Sequence, residues 1–197
     1  MGTIVIDEQF DRCRKALKEE ISRKRFIHSL GVSDTAACLA MRYGYDIRKA
    51  ALAGLLHDCA KGLDDRQLLE TARRGNIEIS DVELANPELL HSKAGSVLAK
   101  EKYGINDEEI LGSIYWHTTG KPDMSILEKI IFLADYIEPN RANIPWIDSI
   151  RQKAFTDMDE AVALACRNSI DYLNKSSRTI DRITIDTYEY YKDHIKQ

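Results

Sequence analysis

No stretch of this chain stays apolar for the roughly 18 to 20 residues that a membrane helix requires, so a spanning segment is not expected. The amino terminus, MGTIVIDEQF, is too acidic and too short in its apolar part for a secretion signal. Long blocks of Lys and Arg are also missing, and 28 basic against 32 acidic residues leave a net charge of −4. That balance argues against a nucleic-acid polymer or a membrane surface as partner, while leaving room for a small anion met by a few local cations. The four cysteines (Cys13, Cys38, Cys59 and Cys166) have no CxxC spacing, which excludes a zinc ribbon and a disulfide framework. Of these, Cys13, Cys38 and Cys166 read as packing residues. Only four prolines and ten glycines interrupt 197 residues, too few for a many-turned sheet protein. The expectation is therefore a reduced, cytoplasmic, all-α chain forming one domain over residues 1–197, long enough to bury a sizeable core.

What the chain has is legible helix punctuation, and it places a set of metal-ligand side chains. His28 shares a stripe with Val32, Ala36, Leu39 and Tyr43 in a helix predicted over residues 22–43. Asp46 caps a helix striped by Leu52, Leu55, Leu56 and Cys59, with Gly62 as its stop, which puts His57 and Asp58 in its last turns. Asn86-Pro87-Glu88 starts a helix with His91 in its first turn. Asn106, followed by three acidic residues, starts the helix on which Ile110, Ile114 and His117 align, and Gly120 and Pro122 end it. Ser125 with Glu128 forms a capping box for a helix whose stripe of Leu127, Ile130, Ile131 and Ala134 carries Asp135, and Pro139 closes it.

Residues 64 to 85 read as an insertion over the site, with a short helix at 65–74. Beyond Trp146 come two or three packing helices, of which 157–172 is the clearest. That helix suits the core and is also a candidate homodimer contact. The last third holds a single histidine, His194, near the chain end.

A lone histidine on a helical stripe is usually a hydrogen-bonded core residue. Here four of the five histidines and two aspartates occupy inward positions on five helices, and that combination changes the reading. A carboxylate such as Asp135 in register with apolar residues needs a compensating cation, because burying an unpaired charge costs several kcal/mol. Neutral imidazole and carboxylate are ordinary ligands for transition metals. Adjacent His57 and Asp58 can offer two ligands to one ion, or let the carboxylate bridge two. Iron, manganese, zinc and nickel all suit such a mixed set.

The order His, His-Asp, His, His, Asp resembles the HD-domain metal-dependent phosphohydrolases. The blocks RFIHSLGV, AGLLHDCAKG, HSKAG and WHTTGKPDMSILEKIIFLADYIEPNR are similar to the YqeK-like branch, which splits diadenosine tetraphosphate symmetrically. This likeness spans residues 25–141. It implies an HD-domain helical bundle with a dinuclear metal site: His28, His57, Asp58 and Asp135 on one ion, His91 and His117 on a second, and Asp58 bridging. It also implies one or two divalent or trivalent transition-metal ions, with iron associated with the branch, and a small nucleotide as substrate.

Asp58 and Lys61 are the candidate catalytic residues. Lys61 lies one turn after His57, where its ammonium can meet a phosphate, although a solvated lysine ending a helix is the plain alternative. Arg25, one turn before His28, and Arg141, after the Asp135 helix, suit bidentate phosphate binding or pairing with an acid such as Glu138. Thr118 and Gly120 offer a hydroxyl and close backbone approach to substrate, or simply a helix stop. The expected reaction is hydrolysis of diadenosine tetraphosphate to two ADP. Rival readings are an HD hydrolase acting on a deoxynucleotide, cyclic dinucleotide or guanosine alarmone, a non-catalytic metal-containing nucleotide-binding regulator, and an iron-dependent oxygenase.

Overall fold

In a computed structural model, residues 7–141, 144–176 and 179–195 of the chain are described, and among them every regular element is helical. Local chemistry sets the boundaries. Helix α1 (Glu8–Glu20) starts at Asp7, whose carboxylate accepts from the Phe10 amide, and α2 (Arg23–Tyr43) starts at Ser22, which accepts from Arg25. Asp46 caps α3 (Ile47–Leu56) as expected.

The helix does not run on to Gly62, however. It stops at Leu56, and the HD pair begins a run of tight turns in which Cys59 N–H donates to Leu56 O and Lys61 N–H to Asp58 O. Shorter i−3 bonds thus replace the α-ladder from the first ligand onward.

α2 and α3 lie against each other at backbone distance. A Cβ added at Gly54 would stand 2.9 Å from Ser33 Cα, and Ser33 Oγ donates to Ala51 O at 2.8 Å. Next come α4 (Asp65–Arg74) and α5 (Asp81–Ala85), both begun by capping boxes. The segment predicted as an insertion packs α4 on α6, where Leu68 and Ala72 join Ala60, Leu90 and Ala94 in a small second core. A 3-10 turn over Pro87–Leu90 leads into α6 (His91–Glu101), so His91 is the first α-helical residue. For α7 (Glu108–Trp116) the cap is Asp107 rather than the expected Asn106. The Asp107 carboxylate accepts from the Glu109 and Ile110 amides, whereas Asn106 donates only to Gly104 O at 3.5 Å.

α8 (Ile126–Ile137) carries the predicted Ser125/Glu128 capping box and is the central helix, in contact with α2, α3, α7, α9 (Ile147–Ala154) and α10 (Met158–Lys175). Its Leu127, Ile130, Ile131, Leu133 and Ala134 have no exposed surface. α11 (Arg182–Tyr191) packs on α10. From there Thr187 Oγ1 donates to Thr119 O and Tyr191 Oη accepts from the Met124 amide, tying the last helices to the loop between α7 and α8. All four cysteines are free. Cys13, Cys59 and Cys166 are buried, but Cys38 is exposed on α2, which corrects its expected packing role. No helix among the described residues is long and apolar enough to cross a membrane.

Candidate metal centre

All six predicted ligands meet in one cluster. His28 comes from α2, His57 and Asp58 from the turn after α3, His91 from the start of α6, His117 from the C-cap of α7 and Asp135 from α8. Three overlapping groups bring their ligand atoms within 4.8 Å of one another: His28, His57 and Asp58; His57, His117 and Asp135; and Asp58, His91 and His117.

The two Asp58 oxygens divide the cluster. Oδ2 lies 3.3 Å from His57 Nε2 and 3.7 Å from His28 Nε2, while Oδ1 lies 3.5 Å from His117 Nε2 and 3.6 Å from His91 Nε2. Asp135 Oδ1 is 3.0 Å from His28 Nε2 and 3.7 Å from His57 Nε2. Asp58 is 2% exposed, whereas the Asp135 side chain keeps 21% of its surface and stands nearer the mouth than its apolar stripe suggested.

Each imidazole has its other nitrogen committed. Nδ1 of His57 is 2.7 Å from Gly54 O, that of His91 2.8 Å from Glu88 O, and that of His117 2.7 Å from Ile114 O. These acceptors lie three residues back, at or near the ends of helical segments where carbonyls lose their usual partners. A carbonyl can only accept, so Nδ1 carries the proton and Nε2 presents its lone pair. His28 Nε2 and His57 Nε2 are then 3.2 Å apart, two lone pairs facing each other beside two carboxylates. That arrangement asks for a cation. The donor set of four imidazoles and two carboxylates fits a transition metal, and these side chains could hold one.

The electrostatics show the same demand for positive charge. Burial raises the Asp58 pKa, yet His57 and His117 outweigh it and hold the carboxyl well below its ordinary range. Burial likewise opposes ionisation of Asp135, but the His28 hydrogen bond and the Arg141 charge hold its pKa low. For His57, burial disfavours the charged ring, while Asp58 and Asp135 raise its pKa. His91 is pushed down to about 3 by burial and by the neighbouring charges of His117 and Lys61, so its ring is held neutral.

Cations ring the mouth. Arg25 Nη1 bonds Asp58 Oδ2 at 2.6 Å, and Arg141 bonds Asp135 through Nη2 to Oδ1 at 2.7 Å and through Nε to the carbonyl at 3.1 Å. The acid that pairs with Arg141 is thus Asp135 and not the suggested Glu138. Lys61 is exposed, and desolvation near the mouth lowers its pKa. A cleft of about 750 Å³ opens from His28, lined by Arg23, Lys24, Arg25, Ile27 and Arg141 among others. The Thr118 hydroxyl lies 3.1 Å from His91 Nε2 and 3.2 Å from His117 Nε2, inside the second half of the cluster. Gly120 is buried, and its φ of 64° together with its packing on Thr187 and Met124 explains the glycine without any phosphate. His194 is exposed, apart from the cluster.

Sequence reading missed a working role for Glu138, which is 2% exposed and places Oε1 3.1 Å from His28 Nδ1. The available signal was electrostatic: a carboxylate at a helix C-terminus opposes the macrodipole, so its placement calls for a partner.

An all-helical bundle that converges four imidazoles and two carboxylates on one cationic mouth defines a metal-site protein of the hydrolase type. Residues 25–140 match the HD domain model, and the chain belongs to the HD domain family. It is 42% identical over 172 residues to a symmetrical bis(5'-nucleosyl)-tetraphosphatase of Halalkalibacterium halodurans, covering 87% of this chain and 91% of that protein. To the protein of the same name from Bacillus subtilis it is 37% identical, over 88% of this chain and 92% of that one. A crystal structure from Clostridium acetobutylicum, described as a "predicted HD superfamily hydrolase involved in NAD metabolism", superposes with a TM-score of 0.89 at 40% identity, covering 94% of this chain and 97% of that one.

Proposed function

We propose that this protein hydrolyses diadenosine tetraphosphate symmetrically, giving two ADP. The observation that carries the reading is the split use of Asp58, one oxygen toward each imidazole pair, directly beside a cleft lined by guanidinium and ammonium groups. The names of the Halalkalibacterium and Bacillus relatives support the substrate and the regiochemistry.

His28, His57, Asp58 and Asp135 would hold one ion, and His91 and His117 would hold a second, with Asp58 available to both groups. Iron is the leading metal, and manganese, zinc and nickel suit the same ligands. When bound, the metal supplies Lewis acidity that activates water and offsets phosphate charge. The protein's own groups do the rest. Arg25 and Arg141, poised between cluster and cleft, take the phosphate oxygens bidentately, and Lys61 adds a point charge at the mouth. The Thr118 hydroxyl, set between His91 and His117, offers a further hydrogen bond.

Water attacks one of the two central phosphorus atoms and the central P–O bond breaks. One ADP then carries the oxygen from water, the other keeps the bridging oxygen, and the two protons of the water pass to the terminal phosphates or to solvent. The chain acts as one domain in the cytoplasm, on a small nucleotide rather than a polymer. Incubation of metal-loaded protein with diadenosine tetraphosphate and chromatography of the products should show ADP alone; ATP with AMP, or no turnover, overturns the assignment. The description of the Clostridium structure is reason to include a pyridine dinucleotide in the same assay.

A further inference from the structure

Three of the four cluster imidazoles are oriented by backbone carbonyls, but His28 is oriented by a side chain. Its Nδ1 lies 3.1 Å from Glu138 Oε1, 110 residues away in sequence. A carboxylate oxygen can only accept, so the ring donates from Nδ1 and presents Nε2 to Asp135, His57 and Asp58. The other oxygen of Glu138 is clamped as well, accepting from the Asn140 amide at 2.7 Å and from Asn140 Nδ2 at 3.0 Å.

The loop that carries Glu138 is fixed independently. Arg151 on α9 donates to the carbonyls of Ile137, Glu138 and Arg141 at 3.0 to 3.1 Å. The facing helix is cut away to receive the carboxylate: a Cβ built at Gly31, one turn after His28, would stand 2.6 Å from Glu138 Oε2 and 3.3 Å from Asn140 Nδ2.

We propose that Glu138 is a positioning residue that holds His28 in its metal-binding tautomer and orientation, and that residue 31 is glycine so that this carboxylate can reach the ring. A carboxylate behind a ligating imidazole fixes ring orientation and raises ligand basicity. The same loop continues into Arg141, so the latch joins a metal ligand to a phosphate-binding group through three residues of chain. This inference rests on the reading of the cluster as a metal centre.

Metal-stripped wild type, Glu138→Ala, Glu138→Gln and Gly31→Ala, each titrated calorimetrically with Mn²⁺ and melted without metal, separate the two ideas. Glu138→Ala should weaken the tightest binding by about 10- to 100-fold. Glu138→Gln should weaken it less, because an amide oxygen still accepts from His28 although its NH₂ faces the Asn140 donors. Gly31→Ala should shift affinity in the direction of Glu138→Ala with little loss of melting temperature, since the added methyl meets side-chain atoms of Glu138 and Asn140 and no main chain. Wild-type affinity in folded Glu138→Ala, or in Gly31→Ala should Glu138→Ala not fold, overturns the positioning role alone. Wild type that binds no Mn²⁺, Fe²⁺, Zn²⁺ or Ni²⁺ overturns the metal centre itself and this inference with it.

Discussion

Each clustered histidine is a two-ended device, one nitrogen spent on a fixed acceptor and the other left for the cluster, and this makes the residue scale the place where chemistry is decided. Asp58 is the member both halves share. Its replacement by Ala should abolish turnover and lower the metal content measured by elemental analysis, whereas His194→Ala should change neither; normal turnover by Asp58→Ala would mean that the site is misassigned. The convergence of the six side chains was legible because titratable residues on apolar stripes contradict their surroundings, and six such contradictions in one chain share a single remedy. Glu138 and the true partner of Arg141 were not legible. Their contacts depend on how the turn after α8 folds back, which local spacing does not encode.

At the level of elements, three ligands sit where helices begin or end: His57 just past α3, His117 at the C-cap of α7, and His91 where a 3-10 turn becomes α6. Caps therefore set ligand position as well as stability. Helix starts with a side-chain oxygen were readable at Asp46 and Ser125, but the competition between neighbours Asn106 and Asp107 was settled by tertiary structure. Lys49, from α3, bonds Asp107 at 2.7 Å and lowers its pKa by that hydrogen bond, with the Ile110 and Glu109 amides adding to the effect. A depressed folded-state pKa stabilises above the ordinary carboxylate value and loses that contribution as pH falls through the depressed one. Asp107→Ala should thus cost about 1 kcal/mol in urea denaturation at neutral pH. The difference from wild type should shrink as the pH drops below about 4. A gap independent of pH would remove ionised Asp107 from the account.

For the molecule as a whole, the last third is a buttress. Tyr191, 2% exposed, meets the Met124 amide at 2.8 Å, and Thr187 packs beneath Gly120, so α11 supports the loop that leaves His117. The prediction that residues beyond 146 serve packing is consistent with this, although periodicity alone did not say which loop they hold. Tyr191→Phe leaves a buried amide donor without its acceptor, a cost of about 1 to 3 kcal/mol. Its melting temperature should fall while metal stoichiometry at saturation stays that of wild type; loss of metal with full stability would reverse that order of effects.

The close seating of α3 on α2 has a consequence for divergence. Gly54 has no functional group of its own, yet a single methyl there would meet the unyielding main chain of Ser33 and Val32 and lever apart the two scaffolds that bring His28 and His57 to within 3.2 Å. Mutational tolerance at an inert position is therefore governed by the spacing of two imidazoles, and a lineage could lose the reaction there while keeping every reactive side chain intact.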